Sequence, residues 1–207
     1  ALSLLAPVLY DYSAVSGLDL RNRLQLPSAT FPLGTDEMGR DLLARISWGA
    51  RITLSVAFAS VAFSVVSGVF LGTLAGYYRG TIPLILVRFI DGIAGFPRVL
   101  MAIVLLTIIG SGVFGLVVAI AVSTIPVFAR LYYAEVRALK GQEFVLAAHT
   151  LGARDIDLIV THILPNTIPL LVVQASICLA EAVLIASGLS FLGLGPQPPT
   201  PEWGAMI

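Results

Sequence analysis

Charge is scarce in this sequence: lysine, arginine, aspartate and glutamate make up 12% of it, against about 25% in soluble domains. With 57% of residues apolar and a mean hydropathy of +0.96, too little polar surface remains to clothe a water-soluble core. The bilayer must be the solvent for much of the chain. Neither sign of charge is in excess: 12 basic and 12 acidic residues cancel, which excludes the positive footprint that nucleic-acid phosphates require. One cysteine, Cys178, can form no internal disulfide and has no second thiol with which to share a metal. There is also a single lysine, Lys140, between Leu139 and Gly141. A phosphate-cradling loop ends in Gly-Lys followed by Ser or Thr, so the chain has no such loop of its own. The H-E-x-x-H, G-x-S-x-G and C-x-x-C patterns are missing too, and neither catalytic residues nor metal ligands are assigned.

What the sequence does have is long apolar runs. A spanning helix needs about 20 largely apolar residues to cross about 30 Å of hydrocarbon, and four runs qualify. Residues 52–75 carry no charge, and their Ser, Gly and Ala content suits close packing in lipid. Residues 84–109 include Arg88, Asp91 and Arg98, with Pro97 expected to bend the run. Residues 113–129 hold Pro126, and residues 166–192 hold Pro169 and Glu181. Residues 1–9 are apolar but too short to span and lack the basic start of a signal peptide, so they read as the stump of an earlier helix.

Orientation follows from basic residues in the loops. Residues 130–165 carry Arg130, Arg137, Lys140 and Arg154, while everything after them has none, which places that loop in the cytoplasm. By alternation residues 76–83, with Arg79, are cytoplasmic and residues 110–112 are outside. Alternation also puts residues 10–51 outside, although Arg21, Arg23, Arg40, Arg45 and Arg51 lie there. Within that segment Thr35 or Asp36 can cap a helix, and Met38, Leu42, Leu43, Ile46 and Trp48 give it an apolar face. This predicts an interfacial helix on the outer surface within residues 31–51.

Residues 143–166 read EFVLAAHTLGARDIDLIVTHILPN. Residues 142–151 can form a short helix whose first turn holds Glu143, where the helix dipole favours an anion. Ala147 and Ala148 leave a slim surface on which another protein can close, and Gly152 permits a reversal that a side chain would resist. A second short helix over 155–164 would return the chain to the membrane at Pro165.

The pattern Glu143-x3-Ala147-Ala148-x3-Gly152, then nine residues, then His162-Ile163-Leu164-Pro165, closely resembles the EAA loop of membrane subunits of ABC importers. Residues 33–41 (LGTDEMGRD), 189–195 (LSFLGLG) and 197–204 (QPPTPEWG) look like the dipeptide, oligopeptide and nickel permease group, specifically its "C" subunits. The resemblance extends over essentially all 207 residues. Leu146 stands where the broad family places a glutamate and His162 where it often has isoleucine; peptide-type members commonly share both departures.

The resemblance implies an all-α integral membrane protein with the type I ABC importer transmembrane fold, set in the bacterial inner membrane. The chain is then one permease domain and a fragment. About four spans are complete, one is truncated before Ala1 and one is missing after Ile207. The coupling residues would be Glu143, Ala147, Ala148, Gly152, His162, Leu164 and Pro165, seated in a cleft of the ATPase. The implied partners are a homologous second permease, two cytoplasmic ATP-binding subunits and an extracytoplasmic substrate-binding protein. This chain binds no cofactor, ATP-Mg being used by the partners, and the cargo is a di- or oligopeptide or a related small solute.

Other residues keep two readings. Arg88 and Asp91, three apart on one face, form either a structural ion pair or part of a gate. Glu181 is either a carboxylate facing the path or a hydrogen-bonding partner of a neighbouring helix, since a mid-membrane charge needs a partner, a proton or water. His149 and His162 read as docking or packing residues, Trp48 and Trp203 as interface anchors. Residues 187–188 and 193–195 mark a close helix crossing or a hinge. Two other classes compete: a proton-driven secondary transporter, which calls for inverted repeats that the sequence does not show, and an intramembrane enzyme, which lacks a paired catalytic constellation.

Overall fold

The computed structural model describes residues 2–207. In chain order its α-helices are α1 Leu2–Leu9, α2 Ser13–Ser16, α3 Leu42–Tyr77, α4 Thr81–Ala94, α5 Arg98–Ile109, α6 Val113–Lys140, α7 Glu143–Thr150, α8 Asp155–Asp157 and α9 Leu164–Phe191, with a π-helical stretch Leu158–Ile163 between the last two. Among the described residues, three helical stretches are long and apolar enough to cross a membrane: Leu42–Tyr77, Val113–Lys140 and Asp155–Phe191. The fourth expected span is broken. α4 and α5 are bent by 93° and amount to one span only as a pair. The break lies at Gly95, Phe96 and Pro97, where proline pushes the residue before it out of helical geometry and its own carbonyl opens α5 by accepting from Met101 N–H at 3.0 Å.

The first span corrects the expectation for residues 31–51. No separate interfacial helix forms there; residues 31–41 are turns closed by an isolated antiparallel bridge between Thr35 and Asp41, and the helix that starts at Leu42 runs unbroken to Tyr77. At about 1.5 Å per residue its 36 residues reach about 54 Å, well beyond the hydrocarbon thickness. The cap is neither Thr35 nor Asp36 but Asp41, whose Oδ1 accepts from the N–H groups of Leu43 (2.8 Å) and Ala44 (3.4 Å).

The chain folds as two units. One holds Ala1–Phe58, Ile103–Val118 and Ala182–Ile207; the other holds Ala59–Ala102 and Ala119–Glu181. In the second unit α3 meets α6 along a row of small residues four apart: Ser60, Ser64, Gly68, Gly72 and Gly76. Ser64 is buried and its hydroxyl donates to the carbonyl of Ala121 at 2.9 Å. A Cβ on Gly68 would lie 2.5 Å from Phe128 Cβ, and one on Gly72 only 2.4 Å from the Ala129 carbonyl oxygen. Side chains would force the helices apart, so glycine here sets the distance between two backbones. The opposite face of α3 exposes Phe63, Val66 and Phe70.

In the first unit the segment before α3 is a built loop. Asp36 accepts from the N–H groups of Met38 (2.8 Å) and Arg40 (2.9 Å), from Arg40 Nε (2.7 Å) and from Arg45. Thr35 is buried, receives Gln25 N–H at 2.8 Å and donates to the carbonyl of Asn22. A Cβ on Gly39, whose φ is +77°, would overlap the Asp19 carbonyl oxygen at 1.7 Å. The last residues close on the same unit. Glu202, 1% exposed, accepts from Thr53 Oγ1 (2.9 Å) and Ala205 N–H (3.0 Å). Trp203 Nε1 donates to the Ile46 carbonyl (3.1 Å) and Trp48 Nε1 to that of Tyr10 (3.3 Å). Of the two glycine positions proposed as close crossings, Gly188 has nothing within 4 Å of a built Cβ; the crowding is at Gly204 on Ser187 and at Gly195 on Ser190.

Two outcomes follow. Gly72→Leu should lower the thermal stability of the detergent-solubilised protein by the equivalent of about 1–3 kcal/mol or prevent its accumulation, whereas Gly188→Ala should leave the melting temperature unchanged. Burial raises the Asp36 carboxyl, but the N–H of Arg40, the Arg40 guanidinium, the N–H of Met38 and Arg45 together hold it below the usual aspartate value. Its stabilisation is therefore complete above the unfolded pKa of about 3.9 and is lost as pH falls through the lower folded value. Limited proteolysis within residues 17–41 should be flat from neutral pH to about 5 and rise only below about 4. Asp36→Asn should be cleaved there already at neutral pH.

Candidate functional site

The loop after α6 is anchored by one residue of its short helix. α6 ends at Lys140, and the turn through Gly141 and Gln142 uses the carbonyls of Ala138 and Leu139 as acceptors, at 3.3 and 3.0 Å. Gln142 is extended, with ψ at 148°, so α7 starts on a new axis at Glu143. Val145, 2% exposed, is the buried residue of α7. It enters a cluster with Tyr77 from α3, Tyr132 and Val136 from α6, and Leu158, Ile159 and Ile163 from the π stretch; Ala148 and Ala153 pack on its edge. The outer face of α7 is exposed: Phe144 is 43% exposed, Leu146 54% and Leu151, just beyond it, 89%.

Gly152 reverses the chain. Its φ is +89°, its N–H donates to the His149 carbonyl (3.0 Å), and Ala153 N–H donates to the Ala148 carbonyl (3.2 Å). This pair of bonds is a Schellman motif, which favours glycine at the left-handed position. Open space surrounds Gly152, so it is the backbone angle and not crowding that selects it.

From Asp155 the chain differs from the expected short helix. α8 passes through the π stretch directly into α9, so the return from the loop and the last span are one continuous helix. Pro165 has no N–H to give to the turn behind it. Neighbouring side chains serve the carbonyls there: Asn166 Nδ2 donates to His162 (2.6 Å) and Thr167 Oγ1 to Leu164 (2.7 Å). Tyr77 Oη donates to Asp155 Oδ1 (2.7 Å), and Lys140 Nζ donates to the Tyr77 carbonyl (2.6 Å), so the end of α3 is tied to both ends of the loop.

Of the residues assigned to coupling, Glu143 and Ala147 are exposed on α7, Ala148 is half-buried beneath it, and Gly152 makes the turn. His162 is half-buried with its ring 6.5 Å from that of Phe144; Leu164 packs on the cluster and Pro165 is exposed. His149 is exposed on α7. The anchors Val145, Tyr77 and Tyr132 went unseen in the sequence, where they are apolar residues among many.

The charges within the spans are paired differently from expectation. Asp91 does not pair with Arg88, which is exposed; it accepts from Arg130 of α6, through Nη2 at 2.7 Å and Nε at 3.1 Å. Glu181 has the partner it requires in Arg98, the first residue of α5, through two parallel bonds of 2.6 and 3.0 Å. Both members of that pair are more than a third exposed. A fork-on-fork guanidinium–carboxylate contact fixes geometry as well as charge.

Known proteins match this architecture. The model of the family described as "Binding-protein-dependent transport system inner membrane component" matches residues 68–207. A dipeptide transport system permease protein, DppC, of Alkalihalophilus pseudofirmus is 40% identical over 206 residues, which is 100% of this chain and 67% of that protein. A glutathione transport system permease protein, GsiD, of Pectobacterium atrosepticum is 40% identical over 207 residues, 100% of this chain and 69% of that one. The chain thus spans about two thirds of the length of these relatives. Among solved structures, the inward-facing MetNI methionine ABC transporter superposes with a TM-score of 0.64 at 20% identity, over 72% of this chain and 74% of that one. That likeness speaks for the fold alone: the type I ABC importer transmembrane fold. By family model and by identity, the chain belongs to the inner-membrane components of binding-protein-dependent transport systems, as a multi-pass permease subunit and not a catalytic one.

Proposed function

We propose that this permease subunit forms half of the path of an ATP-driven importer of di- or oligopeptides, with a homologous permease as the other half. Two cytoplasmic ATPases, which use ATP-Mg, would engage residues 130–165, and a substrate-binding protein would deliver cargo on the side of residues 10–51. This chain itself binds no cofactor. The peptide cargo is supported by the two relatives, whose names give a dipeptide and the tripeptide glutathione as what they transport. The observation that carries the coupling role is the asymmetry of α7. Val145 locks it to the spans, while Phe144, Leu146 and Leu151 present apolar surface outward with Glu143 and Ala147 between them. A helix so held transmits the displacement of whatever grips its outer face. In such a cycle substrate moves and no bond in it is broken.

Leu151→Asp changes a side chain that supports nothing else in the fold, so it should reduce co-purification of the ATPase subunits about tenfold or more with insertion unchanged. Ala148→Asp and Gly152→Asp should abolish it. Normal pull-down and uptake in all three would remove α7 from the coupling role. Glu181→Gln leaves Arg98 half-exposed and without a counter-charge. It should retain assembly and lower peptide uptake in proteoliposomes; uptake equal to that of an exposed-surface variant would reduce the pair to a structural role.

A further inference from the structure

The unit that carries α7 also holds a cavity of about 570 Å³ at the ends of α3 and α6, lined in part by Leu146 of α7. Its polar lining is of one sign: Arg79, Arg137 and Lys140, with Tyr77, Tyr78 and Tyr133, and no carboxylate. Among the described residues, the ion pairs of this unit engage Arg98, Arg130 and Arg154 and leave these three cations without an acid. Lys140 spends one of its three donors on the Tyr77 carbonyl, 2.6 Å away, with its Nζ 4.1 Å from the centre of the Tyr77 ring. Arg137 gives one N–H to Tyr133 Oη at 2.6 Å. Three cations that share one hollow repel each other unless an anion sits among them.

The hollow continues into a second one. A groove of about 500 Å³ shares Tyr78, Arg79 and Pro83 with the cavity and, apart from Thr81, is otherwise apolar, with Leu74, Ile82 and Leu86 in its wall. A ligand with an anionic head and a hydrocarbon tail fits both, whereas a free phosphate fits only the first. The place suits such a ligand. Given the orientation proposed above, on which this inference rests, these residues lie where the span meets the cytoplasmic leaflet. Anionic headgroups gather there, and basic residues and tyrosines meet them. We infer that this cavity binds the phosphate of an anionic phospholipid between Arg79, Arg137 and Lys140, with an acyl chain along Leu74, Ile82 and Leu86, in contact with the coupling helix through Leu146.

The test uses the assembled transporter, purified from membranes, exchanged into detergent containing phosphatidylglycerol or phosphatidylcholine and weighed by native mass spectrometry. The wild type should retain phosphatidylglycerol and shed phosphatidylcholine, and excess inorganic phosphate should not displace the retained lipid. Arg79→Gln and Arg137→Gln should each weaken retention about fivefold, the double variant about 25-fold if the two add. Lys140 is left intact because it also holds the end of α3. Equal retention of both lipids, retention unchanged in the double variant, or displacement by inorganic phosphate alone would overturn the inference. So would loss of the ATPase subunits in the double variant with lipid still bound, which would make the cations a protein-docking surface. Leu151→Asp should leave the lipid count untouched, so failure of the coupling role and failure of this site are read separately.

Discussion

In a hydrocarbon solvent, apolar side chains gain nothing by leaving lipid for one another, so helices associate where backbones can approach and polar groups find partners. The row from Ser60 to Gly76 on α3 meets that condition, and the second unit is ordered from it. The row delivers Tyr77 to the end of α6, where its ring, hydroxyl and carbonyl are all used: the ring in the cluster around Val145, the hydroxyl on Asp155, the carbonyl on Lys140. One aromatic residue at the end of a glycine ridge thereby fixes where a loop 70 residues later can stand. Were α3 held off by side chains, none of these three contacts could be made at once.

Charge is handled by the same economy. The membrane-embedded acids are met by arginines from other helices, Asp91 by Arg130 and Glu181 by Arg98, and in the first unit Asp36 gathers Arg40 and Arg45. Glu202 is buried on hydrogen bonds from Thr53 and Ala205 with no cation among its bonded partners. Among the described residues, the cations of the second unit that no ion pair engages are Arg88 and the three at the ends of α3 and α6, Arg79, Arg137 and Lys140. Basic residues that a helix end needs for its dipole are also the ones that meet an anionic leaflet.

Much of this was legible in the sequence, and the part that was not has a common cause. Apolar length locates spans, and a glycine flanked by a helical pattern locates a reversal, because both are local properties; the runs at 52–75, 113–129 and 166–192 and the turn at Gly152 were found that way. The start of α3 was not, because Thr35, Asp36 and Asp41 are equally good caps by residue type. Asp36 is taken up by Arg40 and Arg45, which leaves Asp41 to cap, and that choice is tertiary. Asp91 was read with Arg88 because helical spacing offers only neighbours three or four residues away, while Arg130 is 39 residues away. Pro97 announced a bend but not a right angle. For α7 the exposed face was legible in Glu143 and Ala147, whereas Ala148, read with them, packs on the cluster, and the anchor, Val145, was one apolar residue among others.

The π-helical stretch between α8 and α9 has a geometric effect of its own. In a regular α-helix, positions four apart drift by about 40° around the axis at each step. The wider turn over Leu158–Ile163, closed by the Leu164 N–H on the Ile159 carbonyl, cancels much of that drift. Ile159, Ile163 and Thr167 are all buried, and Thr167 reaches Tyr132 Oη at 3.0 Å. The segment entering from the loop and the segment inside the bilayer therefore present a single flank of one rod to the same neighbour. A twist or push applied at its loop end arrives in phase with the side chains deeper down instead of spiralling away around the axis.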